Sequence, residues 1–324
     1  MASGSSCDLT SISILLFMSF LACFTITQYS FQHDQYMSHG DDADLLLKSS
    51  NESFVYGPPN AEFDWCERNF LWSIFVAEPI NTITGLIFIV VPITGELLHR
   101  DIQLPLPARL VLFFTGLIGV GTVLFHATLR YWCQLLDELP IYYLILLIML
   151  ELSNRESRII RTLTTAWALL VSFLLFYVPQ SHPYHEYVRG AMSCTFCLCF
   201  VYTFYKISSR ASELVDGTQL KKQVQRLFHF SFTFFVIAEI SWLIDNSQCQ
   251  HLRSSMLPFY PHLHAVWHLF AASGIYGLWL CVVALKWAVP SITEEGEESR
   301  RVPCVLWWNE VVPYVGLVDN RKSY

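Results

Sequence analysis

Residues 121–138 read GTVLFHATLRYWCQLLDE, a polar set inside otherwise membrane-grade sequence. Thr122 and His126 are four apart and share one helix face, while Asp137 follows a short break at Arg130, Tyr131 and Trp132, at the start of the next apolar run. A hydroxyl, an imidazole and a carboxylate can therefore meet at one end of two adjacent helices. His264 and His268, again four apart, open the last apolar run and can both turn inward from one helix. Three histidines from two helices, beside a carboxylate and a hydroxyl, read as a metal site with one open position. Zinc is the first choice, because three neutral imidazoles plus water make a catalytic zinc shell and no thiolate stands among the candidates.

Composition sets the class of molecule around this set. Of 324 residues 53% are hydrophobic and only 15% charged, and mean hydropathy is +0.40, outside the range of a soluble globular domain. The sequence reads as an all-α, polytopic membrane protein whose first partner is the lipid bilayer. Its net charge of −7 comes largely from acidic residues in the tails, such as Asp41, Asp42, Asp44, Glu294, Glu295, Glu297 and Glu298. No basic face interleaved with aromatics supports nucleic-acid binding, and nothing implies an obligate protein partner.

Residues 9–27 form an apolar run of about one bilayer thickness with no Lys or Arg before it, a poor signal peptide and an expected anchor helix. Residues 28–62 turn polar, read as a flexible linker, and hold the sequon Asn51-Glu52-Ser53, a glycosylation candidate. Seven further apolar runs follow at about residues 72–98, 107–129, 132–151, 162–179, 185–206, 227–246 and 262–289. The expected divisions are an extension over 1–62, a seven-helix domain over 63–290 and a cytosolic tail over 291–324. If the first of the seven starts in the lumen, Lys48, Arg68, Arg130, Arg189 and Arg253 are lumenal and the other fifteen of 20 basic residues are cytosolic. The positive-inside rule favours that orientation, lumenal at the start of the core and cytosolic at the C-terminus. It also puts His126, Asp137, His264 and His268 at helix ends on the same side.

The segment FDWCERNF (residues 63–70), Glu78 and Asn81, the FHATL and LLDE units, SWLID in the sixth run and HAVWH in the seventh together resemble an alkaline ceramidase. That family comprises seven-helix zinc amidases, more distantly similar to the adiponectin and progestin receptors, and the match begins near Phe63. The resemblance implies hydrolysis of membrane-embedded ceramide in the endoplasmic reticulum, Golgi or plasma membrane. It implies His126, His264 and His268 as zinc ligands, Asp137 as the carboxylate that holds the zinc-bound water, and Thr122 at a position usually Ser. It also implies a calcium site in which Asp64, Glu67, Asn69 and Glu78 supply oxygens and Trp65 a backbone carbonyl, hard ligands that suit calcium. Cys66 and Cys249 both fall in expected lumenal segments, where they can pair or stay free; the resemblance implies the pair.

Other residues carry weaker signals. Trp242 and Asp245 share a helix face and line the cavity or brace a histidine, and Trp267 is a candidate wall for the substrate chain. Cys194, Cys197 and Cys199 mimic a metal motif but sit inside an apolar run, where Cys is a small apolar residue. His185, His229, His251 and His262 read as interfacial. A receptor of the adiponectin and progestin type, with a structural zinc, is the competing class, and an ester-cleaving lipid remodeller is a third. The receptor family runs with the opposite orientation and lacks the DWCERN segment.

Overall fold

The computed structural model describes residues 54–153, 158–215, 217–254, 262–287, 301–308 and 312–319. The expected anchor over residues 9–27 and the Asn51 sequon lie outside them. The described chain is mostly helical. After a segment without regular structure at 54–78, helix α1 spans Pro79–Gly85 and α2 Ile87–Leu98, joined at Leu86. Proline at the first helical position of α1 costs no hydrogen bond, which fixes the start there rather than at residue 72, where the hydropathy alone placed it. Next come α3 (Leu106–Thr128), α4 (Tyr131–Leu152), α5 (Arg158–Tyr177), α6 (Pro183–Glu213), α7 (Gln219–Ser247), the short α8 (Cys249–Ser254) and α9 (Leu263–Val282), which ends in a π-turn at Val283–Trp287.

Five stretches are long and apolar enough to cross a bilayer: Pro79–Leu98, α3, α6, α7 and Leu263–Lys286. This makes the chain a membrane protein. Helix α4 carries Asp137, Glu138 and Glu151, and the apolar part of α5, Arg161–Tyr177, is shorter. Helix α9 packs against α7, α2, α1 and α3 and is the most buried of the spans, with Trp279 wholly enclosed and its indole N–H donating to the Ala108 carbonyl at 3.1 Å.

Between α3 and α4 only Leu129 and Arg130 are non-helical, and Leu129 takes the left-handed conformation (φ 51°) that reverses the chain. The expected break at Arg130, Tyr131 and Trp132 is thus shorter, with the latter two already in α4. Because lipid tails are as apolar as the helices, close packing of small residues has to hold helices together. Gly121 shows this: a Cβ there would lie 2.4 Å from the Asp137 amide nitrogen and from the Leu136 carbonyl. The backbones of α3 and α4 touch at that point, which brings Thr122 against Asp137.

The all-α expectation needs one correction, since the segment read as a tail contains an antiparallel hairpin of β1 (Arg301–Trp308) and β2 (Val312–Asp319). Its partners Val305 and Val315 face inward at 5% and 0% exposure and join the main core. Gln223 of α7 accepts from the Val305 amide at 2.9 Å, the Val315 amide donates to His99 Nε2 at 3.0 Å, and the Tyr276 hydroxyl donates to the Pro313 carbonyl at 2.8 Å. Strands of eight residues are too short for a spanning-segment reading to register.

Candidate metal centre

His126 lies in the last turn of α3, and His264 and His268 lie in the first two turns of α9. Their ring centroids are 5.1 Å (126–264), 5.0 Å (126–268) and 4.7 Å (264–268) apart, and one nitrogen from each lies within 4.8 Å of the others. All three are buried. Among the described residues this is the one group of three or more His, Cys, Asp or Glu side chains so close together.

The hydrogen bonds around the rings test whether a metal fits. The Glu78 carboxylate contacts His126 Nδ1, which then carries the proton and leaves Nε2 as a lone pair. Thr84 Oγ1 is 2.9 Å from His268 Nδ1 and gives its own hydrogen to the Ile80 carbonyl, also at 2.9 Å. The hydroxyl oxygen therefore accepts from His268, again freeing Nε2. His126 Nε2, His268 Nε2 and His264 Nδ1 are buried with no hydrogen-bond partner. Three orphaned, buried imidazole nitrogens, on rings that each offer one ligand atom within 4.8 Å of the others, suit a zinc-like cation.

His264 is held differently. Its ring stacks on Trp65 with centroids 3.6 Å apart and planes 12° apart, and its backbone N–H donates to Asp245 Oδ1 at 3.3 Å. The other oxygen of Asp245 accepts from the Cys66 amide at 3.1 Å, and Asp245 is not in the metal-competent group. Trp242 meets Trp65 edge-on at 5.5 Å, and Trp267 lies parallel to His264 at 5.4 Å while its indole contacts the Glu239 carboxyl. Asp137, 9% exposed, accepts from the Thr122 hydroxyl at 2.5 Å.

Residues 54–78 cover this end of the bundle. Cys66 and Cys249 form a disulfide, and Arg253 donates to the carbonyls of Cys66 and Glu67 at 2.9 and 3.2 Å. The residues expected at calcium are only partly brought together. Asn69 donates to Asp64 at 2.9 Å, and Glu67 accepts from the Ile80 and Asn81 amides at 2.8 and 2.9 Å. Glu78 turns to His126 and to the Trp65 amide, at 3.2 Å from the latter. Burial pushes the Glu67 carboxyl up to about 7 despite its two backbone donors. That raised carboxyl and the partnerless, buried Asn69 Oδ1 are what a hard cation would relieve.

Sequence reasoning missed Thr84 and the Glu78–His126 contact, both joining groups far apart in the chain. It also read His185 as interfacial, whereas His185 is buried at 2% exposure and contacts Glu62. Glu62 further pairs with Arg189 at 2.8 Å, and Arg189 grips both oxygens of Glu138, one at 3.0 Å. No spacing rule signals that cluster.

The fold and the buried histidine centre define a membrane protein with a candidate metal site at one end of a helix bundle. Residues 57–316 match the family described as ceramidase, and the chain belongs to that family. It is 30% identical over 234 residues to alkaline ceramidase 3 of Mus musculus, covering 68% of this chain and 82% of that one. An alkaline ceramidase of Saccharomyces cerevisiae is 28% identical over 245 residues, covering 68% and 75%. Alkaline ceramidase 1 of Homo sapiens is 26% identical over 287 residues, covering 83% and 98%.

Proposed function

We propose that this chain hydrolyses the amide bond of ceramide to sphingosine and a fatty acid, with His126, His264 and His268 holding a catalytic zinc. The observation that carries the reading is the trio of buried imidazole nitrogens without hydrogen-bond partners, in a chain that belongs to the ceramidase family. Bound zinc would acidify a water and polarise the amide carbonyl. The chain's own residues do the rest. Asp137 takes the proton from the attacking water and returns it to the leaving amine nitrogen. Thr122 orients that carboxylate through its 2.5 Å hydrogen bond. Once Asp137 is protonated, the Thr122 hydroxyl, which also has the Ile118 carbonyl at 2.7 Å, turns its hydrogen to the developing oxyanion. Glu78 and Thr84 fix the ring orientation of His126 and His268.

The same reading takes seven spans, with α4 and α5 added to the five most apolar stretches, preceded by an anchor over residues 9–27. The metal-centre end faces the lumen of the endoplasmic reticulum or Golgi, or the cell exterior, and the hairpin faces the cytosol. Calcium held by oxygens of Asp64, Glu67, Asn69 and Glu78 and the Trp65 carbonyl would steady residues 54–78 rather than enter the reaction. The test is turnover by detergent-solubilised protein on a panel of ceramides and matched esters, before and after chelation, with metal content measured alongside. Amide cleavage that chelator abolishes and zinc restores is expected. Cleavage of the esters alone, or ceramide turnover indifferent to metal removal, would overturn the reading.

A further inference from the structure

Trp65 is 6% exposed, and its indole Nε1 is buried with no hydrogen-bond partner. A buried donor left unpaired bears its whole desolvation cost, so such a group calls for an explanation. Its surroundings are Phe63 stacked at 5.8 Å, Trp242 edge-on at 5.5 Å and His264 face-on at 3.6 Å, so the orphaned N–H belongs to a ring lying flat on a metal-site histidine. The backbone of Trp65 is fixed independently by its amide's bond to Glu78 and by the neighbouring Cys66–Cys249 disulfide. The ring is thus held in place, with its one polar atom unsatisfied, beside the reacting centre.

We propose that the Trp65 indole N–H donates to the terminal hydroxyl of the ceramide headgroup, on carbon 1 of the sphingoid base. This rests on the proposed ceramide hydrolysis. Asp137 and Thr122 come from α4 and α3, and in the proposed reaction they serve the amide. Trp65 lies on the side of His264 and α7, on the segment that covers the end of the bundle. A lipid that enters chains first leaves its hydroxyl end at that cover, two bonds from the carbon that bears the amide nitrogen. The donor is positioned to read the head, whereas the apolar interior reads only the chains. A site that holds a donor for a substrate hydroxyl discriminates against the analogue lacking it, because the buried donor then stays unpaired.

The test is a cycle between one protein donor and one substrate hydroxyl. Wild-type protein and Trp65→Phe, which keeps an aromatic ring over His264, are each assayed on ceramide and on its analogue without the carbon-1 hydroxyl, with zinc content and melting temperature recorded. The wild type is expected to prefer ceramide by about tenfold in kcat/KM, the size of one net hydrogen bond, and Trp65→Phe is expected to lose that preference with zinc retained. An equal preference in both proteins would overturn the proposal and leave Trp65 a packing residue. If Trp65→Phe does not fold, the wild type alone decides: equal turnover of the two lipids also overturns it. Failure of the wild type to cleave either amide would instead refute ceramide hydrolysis itself.

Discussion

At the scale of single residues, the contacts that aim the imidazoles can be separated from the imidazoles themselves. Replacing His126, His264 or His268 by Ala is expected to abolish both metal binding and turnover, measured by elemental analysis and product release. Thr84→Val removes the acceptor that fixes His268 Nδ1 together with the hydroxyl's own bond to the Ile80 carbonyl, and leaves the three imidazoles in place; metal affinity should fall about 10- to 100-fold, with activity recovered at excess zinc. Asp137→Asn should keep the metal and lose about 10²- to 10⁴-fold in kcat, because the proposed proton carrier is gone while the ring set stays. Glu67 gives a pH signature. Its folded carboxyl is raised to about 7 from an ordinary value of 4.5, so the folded chain binds the extra proton. Stability from that proton is complete below about 4.5 and is lost as pH rises toward 7. Calcium-free protein should therefore melt at progressively lower temperature from pH 5 to about 8, and calcium should restore more at the alkaline end, where the carboxylate is ready to bind it. A melting curve flat in pH would remove Glu67 from this role.

At the scale of elements, the glycines decide how close the helices come. A Cβ on Gly85 of α1 would lie 2.6 Å from Thr122 Cγ2 of α3, and that methyl is the one by which Thr departs from the Ser suggested by the family resemblance. Gly85→Ala is expected to cost about 1–3 kcal/mol by overpacking and to shift Thr122 off Asp137. Combining it with Thr122→Ser should restore melting temperature and turnover together, a non-additive pair. The period-four spacings of Thr122 and His126, and of His264 and His268, could be read from sequence because a helix makes them geometric facts. Thr84 on His268 could not, since 184 residues separate them. Nor could Glu78, because one carboxylate letter serves equally as a ligand for a hard cation or as a brace for an imidazole. The hairpin escaped for another reason: hydropathy windows tuned to a bilayer average out eight-residue strands.

At the scale of the whole molecule, the bundle is finished differently at its two ends. Residues 54–78 cover the histidine end, while the hairpin inserts Val305 and Val315 into the core. Val315→Asp is expected to lower the melting temperature, since a buried valine is worth about 1.5–3 kcal/mol and an unpaired charge adds its own penalty. Zinc stoichiometry should remain intact, because His99, which receives the Val315 amide, lies at the other end of α2 from Glu78 and Thr84.

The disulfide between Cys66 and Cys249 spans 183 residues, and His264 and His268 follow it, whereas Trp65 and Glu78 stand near the start of the core. During synthesis the first helix of the core must therefore wait for the last one before any imidazole set exists. A chain halted anywhere earlier holds His126 alone, with Trp65 lacking the ring it stacks on. Order of translation thus becomes a safeguard: a ribosome that stalls before residue 268 leaves a fragment without the imidazole set, which arrives only with the last helix of the core.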